Sequence, residues 1–169
     1  MKNTISPRQV HLDFHTSPLI EGIGSRFSKE NFQAALKEGN LSSITVFAKC
    51  HHGVCYYPTK IGTMHPHLDF DLLGEMIEAA HEIGVRIPVY ITAGWSAMDA
   101  EKHPEWWMRN QDGTPMLTNF DLNAETDEPK PNCSWIDLCL NDGSYAEHIY
   151  ELTREVCDRY EDIDGLFYD

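Results

Sequence analysis

Four short apolar segments, each separated from the next by a stretch of helical periodicity, limit what this chain can fold into more than any other feature. Val10, Leu12 and Phe14 alternate with His11, Asp13 and His15, the period-2 pattern of a strand. Ile44 to Ala48 is β-branched and nearly unbroken in its apolarity, as strands covered on both faces are. Val85 to Ile91 repeats that character, and Pro88 within it predicts a bulge or an early strand end because proline removes a ladder donor. Leu166-Phe167-Tyr168 follows Asp164-Gly165 and delivers Asp169.

Between these segments the spacing predicts a helix over 28–37, with Ser28 as N-cap, Phe32, Ala35 and Leu36 turned inward, and Gly39 ending it. A second is expected over 70–83, where Leu73, Met76, Ile77, Ala80 and Ile83 share a face and Gly84 terminates the run. Ser144 and Glu147 read as a capping box for a third, with Ile149, Leu152, Val156 and Tyr160 on one side. From Thr92 to about Pro131 the chain is rich in Gly, Pro, Asn and Asp and too long for a routine connection, so an ordered excursion with a helical turn near 104–108 is expected.

The repeat of strand and helix implies an α/β protein with a parallel sheet. Four such strands with polar residues at their ends fit the N-terminal half of a TIM barrel, (β/α)8, a fold that needs about 250 residues. Residues 1–169 then form part of one catalytic domain, with an insertion at about 92–134. A doubly wound sheet is the competing architecture, but His15-Thr16-Ser17-Pro18 is no glycine-rich dinucleotide turn. No cofactor motif is present, and none is expected.

Charge narrows the partners. Thirteen Lys and Arg against 27 Asp and Glu give a formal charge of −14, which repels nucleic acid and anionic membranes and tolerates a neutral carbohydrate. Met1 to Pro7 holds no apolar targeting core, and the five cysteines form no CxxC pair, which fits a reducing, cytoplasmic setting.

Strand ends are the working rim of such folds. They present His11, Asp13 and His15; Lys49, His51 and His52; Tyr90 and Thr92; and Asp169. Cleaving a glycosidic bond needs a carboxylate facing the anomeric carbon and a second carboxyl group as proton donor, and Asp169 is placed for the first role. Adjacent imidazoles at 51 and 52 suit hydroxyl binding. Trp95, Trp106 and Trp135 offer flat apolar faces with an edge donor, suited to a sugar or to anchoring the excursion. His11-x-Asp13-x-His15 with Asp169 is also a conceivable N,O ligand set, though no metal site is favoured.

Three stretches resemble known glycosidases. Thr45 to Cys55, with Ala48-Lys49-Cys50-His51-His52-Gly53 followed by Tyr57-Pro58-Thr59-Lys60, resembles the α-L-fucosidases of glycoside hydrolase family 29, which carry Ala-Lys-His-His-Asp-Gly-Phe and then Pro-Ser-Lys. Cys50 is an insertion relative to that run, and Gly53 stands where Asp-Gly is usual. Asp164 to Asp169 resembles the strand ending on that family's nucleophile, and His15 lies where it has a substrate-binding His, with Thr16 in place of the usual Trp. His103 to Trp107, Asp112 to Pro115 and Trp135 to Asn141 look closer to a related, sparsely characterised group of glycosyl hydrolases sharing the barrel with fucosidases and family 42 β-galactosidases.

The resemblance implies a retaining, α-L-fucosidase-like glycosidase, with Asp169 as nucleophile, His15, His51 and His52 gripping the sugar, and the general acid beyond residue 169. The alternatives are a metal-dependent hydrolase and a non-catalytic carbohydrate-binding fragment. Four strands alone leave two open edges, so the isolated chain is expected to self-associate or pack loosely and to be inactive.

Overall fold

A computed structural model describes residues 7–119 and 134–169. The first strand, β1 (Gln9–His11), is shorter than the alternation predicts. Beyond it the chain is held from the side: Tyr56 Oη donates to the Phe14 carbonyl at 2.9 Å and lies 2.7 Å from Thr16 Oγ1. Ser28 caps α1 (Lys29–Glu38) by accepting from the Asn31 N–H, and Gly39 ends it. Leu36 is buried, but Ala35 is exposed, because the face turned to the next helix carries Lys29, Gln33 and Leu36 instead. The Gln33 amide donates to Ala79 O at 2.9 Å, and Lys29 reaches Glu78 and Glu82.

The strand β2 (Ser43–Lys49) is the hub of the sheet. Two further strands, β3 (Val54–Cys55) and β4 (Thr63–Met64), are too short for any periodicity and escape a sequence reading. Helix α2 (Leu72–His81) buries Leu73, Met76, Ile77 and Ala80 as its spacing demands. β5 (Val89–Ile91) starts only after Pro88, and opposite it the register slips by one between Phe47 and Lys49. Proline thus delays the start of the strand rather than ending it early, while the irregularity in the pairing falls on the partner.

The excursion contains α3 (Ala97–Lys102), a 3₁₀ turn (Pro104–Trp106) at the expected place, and an antiparallel pair, β6 (Leu117–Asn119) with β7 (Ser134–Ile136). The last helix, α4 (Gly143–Arg159), is capped by Asp142, whose carboxylate accepts from the Ser144 and Tyr145 N–H groups. Ser144 therefore sits inside the first turn, and the expected Ser144–Glu147 capping box does not form. β8 (Leu166–Tyr168) completes the described strands.

β1, β2, β5 and β8 lie side by side and parallel, in chain order, with a helix in every interval. Four flat strands would set the outer two about 14 Å apart at the usual spacing of about 4.8 Å. Yet the His11 ring of β1 is 5.3 Å from the Phe167 ring of β8, and within 5.6 Å of Phe47 and Tyr90. The sheet is curled into a trough whose concave face carries these rings, with Phe47 stacked on Tyr90 at 3.8 Å. It does not close on itself among the described residues. On the convex side Val46, Ile44, Val89 and Ile91 meet α2 and Leu152 and Val156 of α4 in the main core. Cys50 and Cys55 are buried there as small apolar groups. A second, smaller core joins Ala93, Ala100, Trp106, Ile136, Leu138, Tyr145 and Ile149. No helix among the described residues is long and apolar enough to cross a membrane.

One carboxylate ties the outer layer together. Asp71 caps α2 through Gly74 N–H at 2.9 Å and accepts from Arg159 and from Tyr160 Oη at the end of α4. Asp71→Ala should lower stability to urea by about 2–4 kcal/mol, the sum of a lost cap and lost hydrogen bonds to a charged group. Arg159→Ala, at a partly exposed position, should remove less than about 1 kcal/mol. Equal losses in the two denaturation curves would rule out the capping role.

Candidate active site

Because the four strands run the same way, their carboxyl ends emerge together. Asp169, directly after β8, accepts a hydrogen bond from Tyr90 Oη at 3.0 Å, and its carbonyl oxygen accepts from the Ala93 and Gly94 N–H groups after β5. The Tyr90 pKa is raised by burial and by the Asp169 carboxylate, so the phenol stays a donor to that carboxylate at neutral pH. Tyr90 stood among the strand-end residues but was not read as a site residue. Its place one strand over from Asp169 is the signal that could have found it.

His15 stands beside this pair. Its ring lies 5.9 Å from the Tyr90 ring, and both Asp13 and Asp169 pull its pKa up against the larger, downward effect of burial. Its Nδ1 accepts from the His51 backbone N–H at 3.3 Å, which leaves Nε2 to carry the proton toward Asp13 Oδ1 at 3.1 Å. Asp13 thus fixes the tautomer of His15. The His51 ring follows at 3.9 Å from His15, and His52 at 4.4 Å from His51.

Burial, reinforced by its imidazole neighbours, lowers the His51 pKa to about 3 and pushes His15 and His52 below the usual value. Three crowded imidazoles are therefore neutral near pH 7: His15 already accepts from the His51 N–H and donates toward Asp13, and the rings of His51 and His52 each carry one donor and one acceptor nitrogen. Such groups suit sugar hydroxyls.

The loop bearing the His pair is gripped from below. Its carbonyls at His51 and His52 accept from Ala97 and Met98 N–H, the unsatisfied donors of the first turn of α3. Gly53 adopts φ +89°, and a Cβ there would lie 2.6 Å from Ser96 Oγ and 2.8 Å from Met98 Cβ, so only glycine lets the helix come this close. Beneath, Lys49 Nζ and Asp99 Oδ2 form a fully buried ion pair at 2.5 Å, joined by Ser96 Oγ at 2.6 Å. Burial opposes both charges, and their contact outweighs it: Lys49 is held above and Asp99 below its ordinary pKa. Lys49 therefore points away from the open face of the rim, into the packing.

The tryptophans divide. Trp95, half-buried just past β5, donates its indole N–H to Asp137, whose pKa burial raises. Trp106 is 6% exposed, stacks on His103 at 3.7 Å and spends its N–H on Ser144 Oγ at 2.7 Å. It anchors the excursion within the second core. The backbone of Trp135 lies in β7, and its side chain is outside the described residues. His11 faces the aromatic floor of the trough, and no group of three or more His, Cys, Asp or Glu side chains among the described residues could hold a metal ion. A separate cleft of about 710 Å³, lined by 21–25 with Phe27 and by 66–70, contains none of these residues.

Comparison with known proteins sharpens this geometry. The family model described as Hypothetical glycosyl hydrolase 6 matches residues 28–169. Alpha-L-fucosidase isoenzyme 2 from Paenibacillus thiaminolyticus is 46% identical with a TM-score of 0.82, over 96% of this chain and 23% of its own. The chain thus spans about a quarter of that fucosidase. An alpha-fucosidase of Thermotoga maritima, 20% identical at TM-score 0.54 over 85% of this chain and 29% of its own, shares the fold. So does a noncanonic maltogenic alpha-amylase of Thermotoga neapolitana, 16% identical at TM-score 0.57 over 96% of this chain and 38% of its own. No curated protein matches.

The neutral histidines give stability a definite pH dependence. An unfolded His binds its proton near pH 6.5 and buried His51 only near 3, so between these values the unfolded state carries more protons and stability falls as pH falls. His51 alone should contribute up to about 1.4 kcal/mol per pH unit in that window, and nothing above it. His51→Asn should flatten the urea-midpoint profile from pH 6.5 to 4, and an unchanged slope would contradict a neutral buried His51.

Proposed function

The chain belongs to the Hypothetical glycosyl hydrolase 6 family, and from that premise we propose that it supplies the nucleophile side of a retaining, α-L-fucosidase-like site. The observation that carries this reading is the Asp169 carboxylate, hydrogen-bonded to Tyr90 and flanked by neutral His15, with His51 and His52 behind it. Likeness to a protein named an alpha-L-fucosidase at 46% identity supports the sugar class. The curl of four parallel strands in chain order supports a (β/α)8 barrel as the complete domain.

In this mechanism the Asp169 carboxylate attacks the anomeric carbon while a carboxylic acid about 5 to 5.5 Å away protonates the leaving oxygen, and water then releases the sugar with retention. Tyr90 steadies the carboxylate before attack and must give up part of that hydrogen bond as the covalent bond forms. The imidazoles hold and orient the sugar by its hydroxyls as it binds, while the contact of the Asp169 carboxylate with the anomeric carbon tightens as the ring gains positive charge and lowers the barrier.

The test uses the full-length enzyme with an aryl α-L-fucoside. Asp169→Ala should lower kcat by about 10³-fold or more, with azide restoring turnover as a glycosyl azide of inverted configuration, and NMR of the first product of the parent enzyme should show the retained anomer. Activity of Asp169→Ala within tenfold of the parent, or an inverted first product from the parent enzyme, would overturn the mechanism.

A further inference from the structure

The buried Lys49–Asp99 pair lies outside the chemistry, yet it closes a short ring with the loop that carries the His pair. From Lys49 the backbone runs two residues to His51, whose carbonyl accepts from Ala97 N–H at 3.0 Å; α3 then runs two residues to Asp99, whose carboxylate returns to Lys49 Nζ at 2.5 Å. A second, parallel tie runs from His52 O to Met98 N–H at 3.0 Å, and Ser96 Oγ braces the same Asp99 oxygen. Gly53, with no Cβ to hold Ser96 off, lets this ring shut.

Lys49 is fully buried and the Asp99 side chain only 6% exposed, in a layer where apolar groups would pack at least as well. A buried pair is weak evidence for stability and better evidence for a fixed register. Here the register at stake is that of the His51-His52 peptides relative to α3. We infer that Asp99 is a positioning residue: through Lys49 and the first turn of α3 it sets the height of the His51-His52 pair over the sheet, and with it the grip on the sugar. The inference rests on the reading of His51 and His52 as substrate-binding groups. It adds a residue 50 positions away from Lys49, one that never touches the substrate.

The experiment compares the full-length enzyme with Asp99→Asn, and with Lys49→Met/Asp99→Asn, in which no buried charge is left unpaired. Asp99→Asn should raise KM at least tenfold while kcat per folded molecule changes less than threefold, whereas a loss of folded protein alone lowers apparent kcat and leaves KM unmoved. The double variant should recover the thermal midpoint of the parent and keep the raised KM. Recovery of KM together with the midpoint would overturn the inference, since the pair would then serve stability only. So would an unchanged KM in both variants.

NMR of histidine-labelled protein separates failure of this inference from failure of the functional reading. If the parent cleaves no fucoside, the reading fails, and the inference is still decided by the imidazole signals. Those of His51 and His52 should move in both variants while that of His81, the last residue of α2, bonded to Asp162 and Asp164, stays in place. Unmoved His51 and His52 signals would overturn the inference regardless of activity.

Discussion

Parallel pairing forces every connection in this chain to leave one end of a strand and return outside the sheet before the next strand can begin. The helices are the answer to that demand, and the side-by-side order of β1, β2, β5 and β8 is its direct product. All four strands then deliver their last residues to one rim, so Asp169 meets Tyr90, and His15 meets His51, although the chain places them far apart. The curl adds a second consequence. It turns Phe47, Tyr90, His11 and Phe167 toward each other as a floor, over which the polar strand ends stand.

Much of this was legible in the residues because it is periodic. β2, α1, α2 and the inner face of α4 follow from apolar spacing, and the strand ends follow from where that spacing stops. What escaped has no period. β3 and β4 are two residues each, and the pairing of Lys49 with Asp99 joins a strand end to a helix 50 residues on, with no local mark of either partner. The cap of α4 fell two residues early because Asp142 and Ser144 are both good caps: Asp142 takes the free N–H groups, and the Ser144 hydroxyl accepts instead from the Trp106 indole, a partner 38 residues away. Trp106 shows the limit most plainly, since an indole that anchors a loop and one that faces a sugar are the same letter in a sequence.

The site also shows how a crowd of titratable groups can be kept quiet. Burial alone would make His15, His51 and His52 reluctant to charge, and for His51 and His52 neighbouring imidazoles add to it. Asp13, more exposed, takes the proton-bearing edge of His15 and leaves its other nitrogen for the backbone of His51. Beneath them the buried Lys49 is matched by the Asp99 carboxylate, so its positive charge is compensated before it reaches the rim.

Glu155 of α4 accepts from Tyr57 Oη, Thr59 Oγ1 and Lys60 N–H, clasping an irregular segment that lies 95 to 98 residues earlier in the chain. At ribosomal rates of about 5–20 residues per second, that segment would wait roughly 5–20 s after its own synthesis for its latch to emerge. Through that interval Tyr57 to Lys60 has only its near neighbours to hold it, which makes it a natural target for a chaperone or a protease acting on the nascent polypeptide.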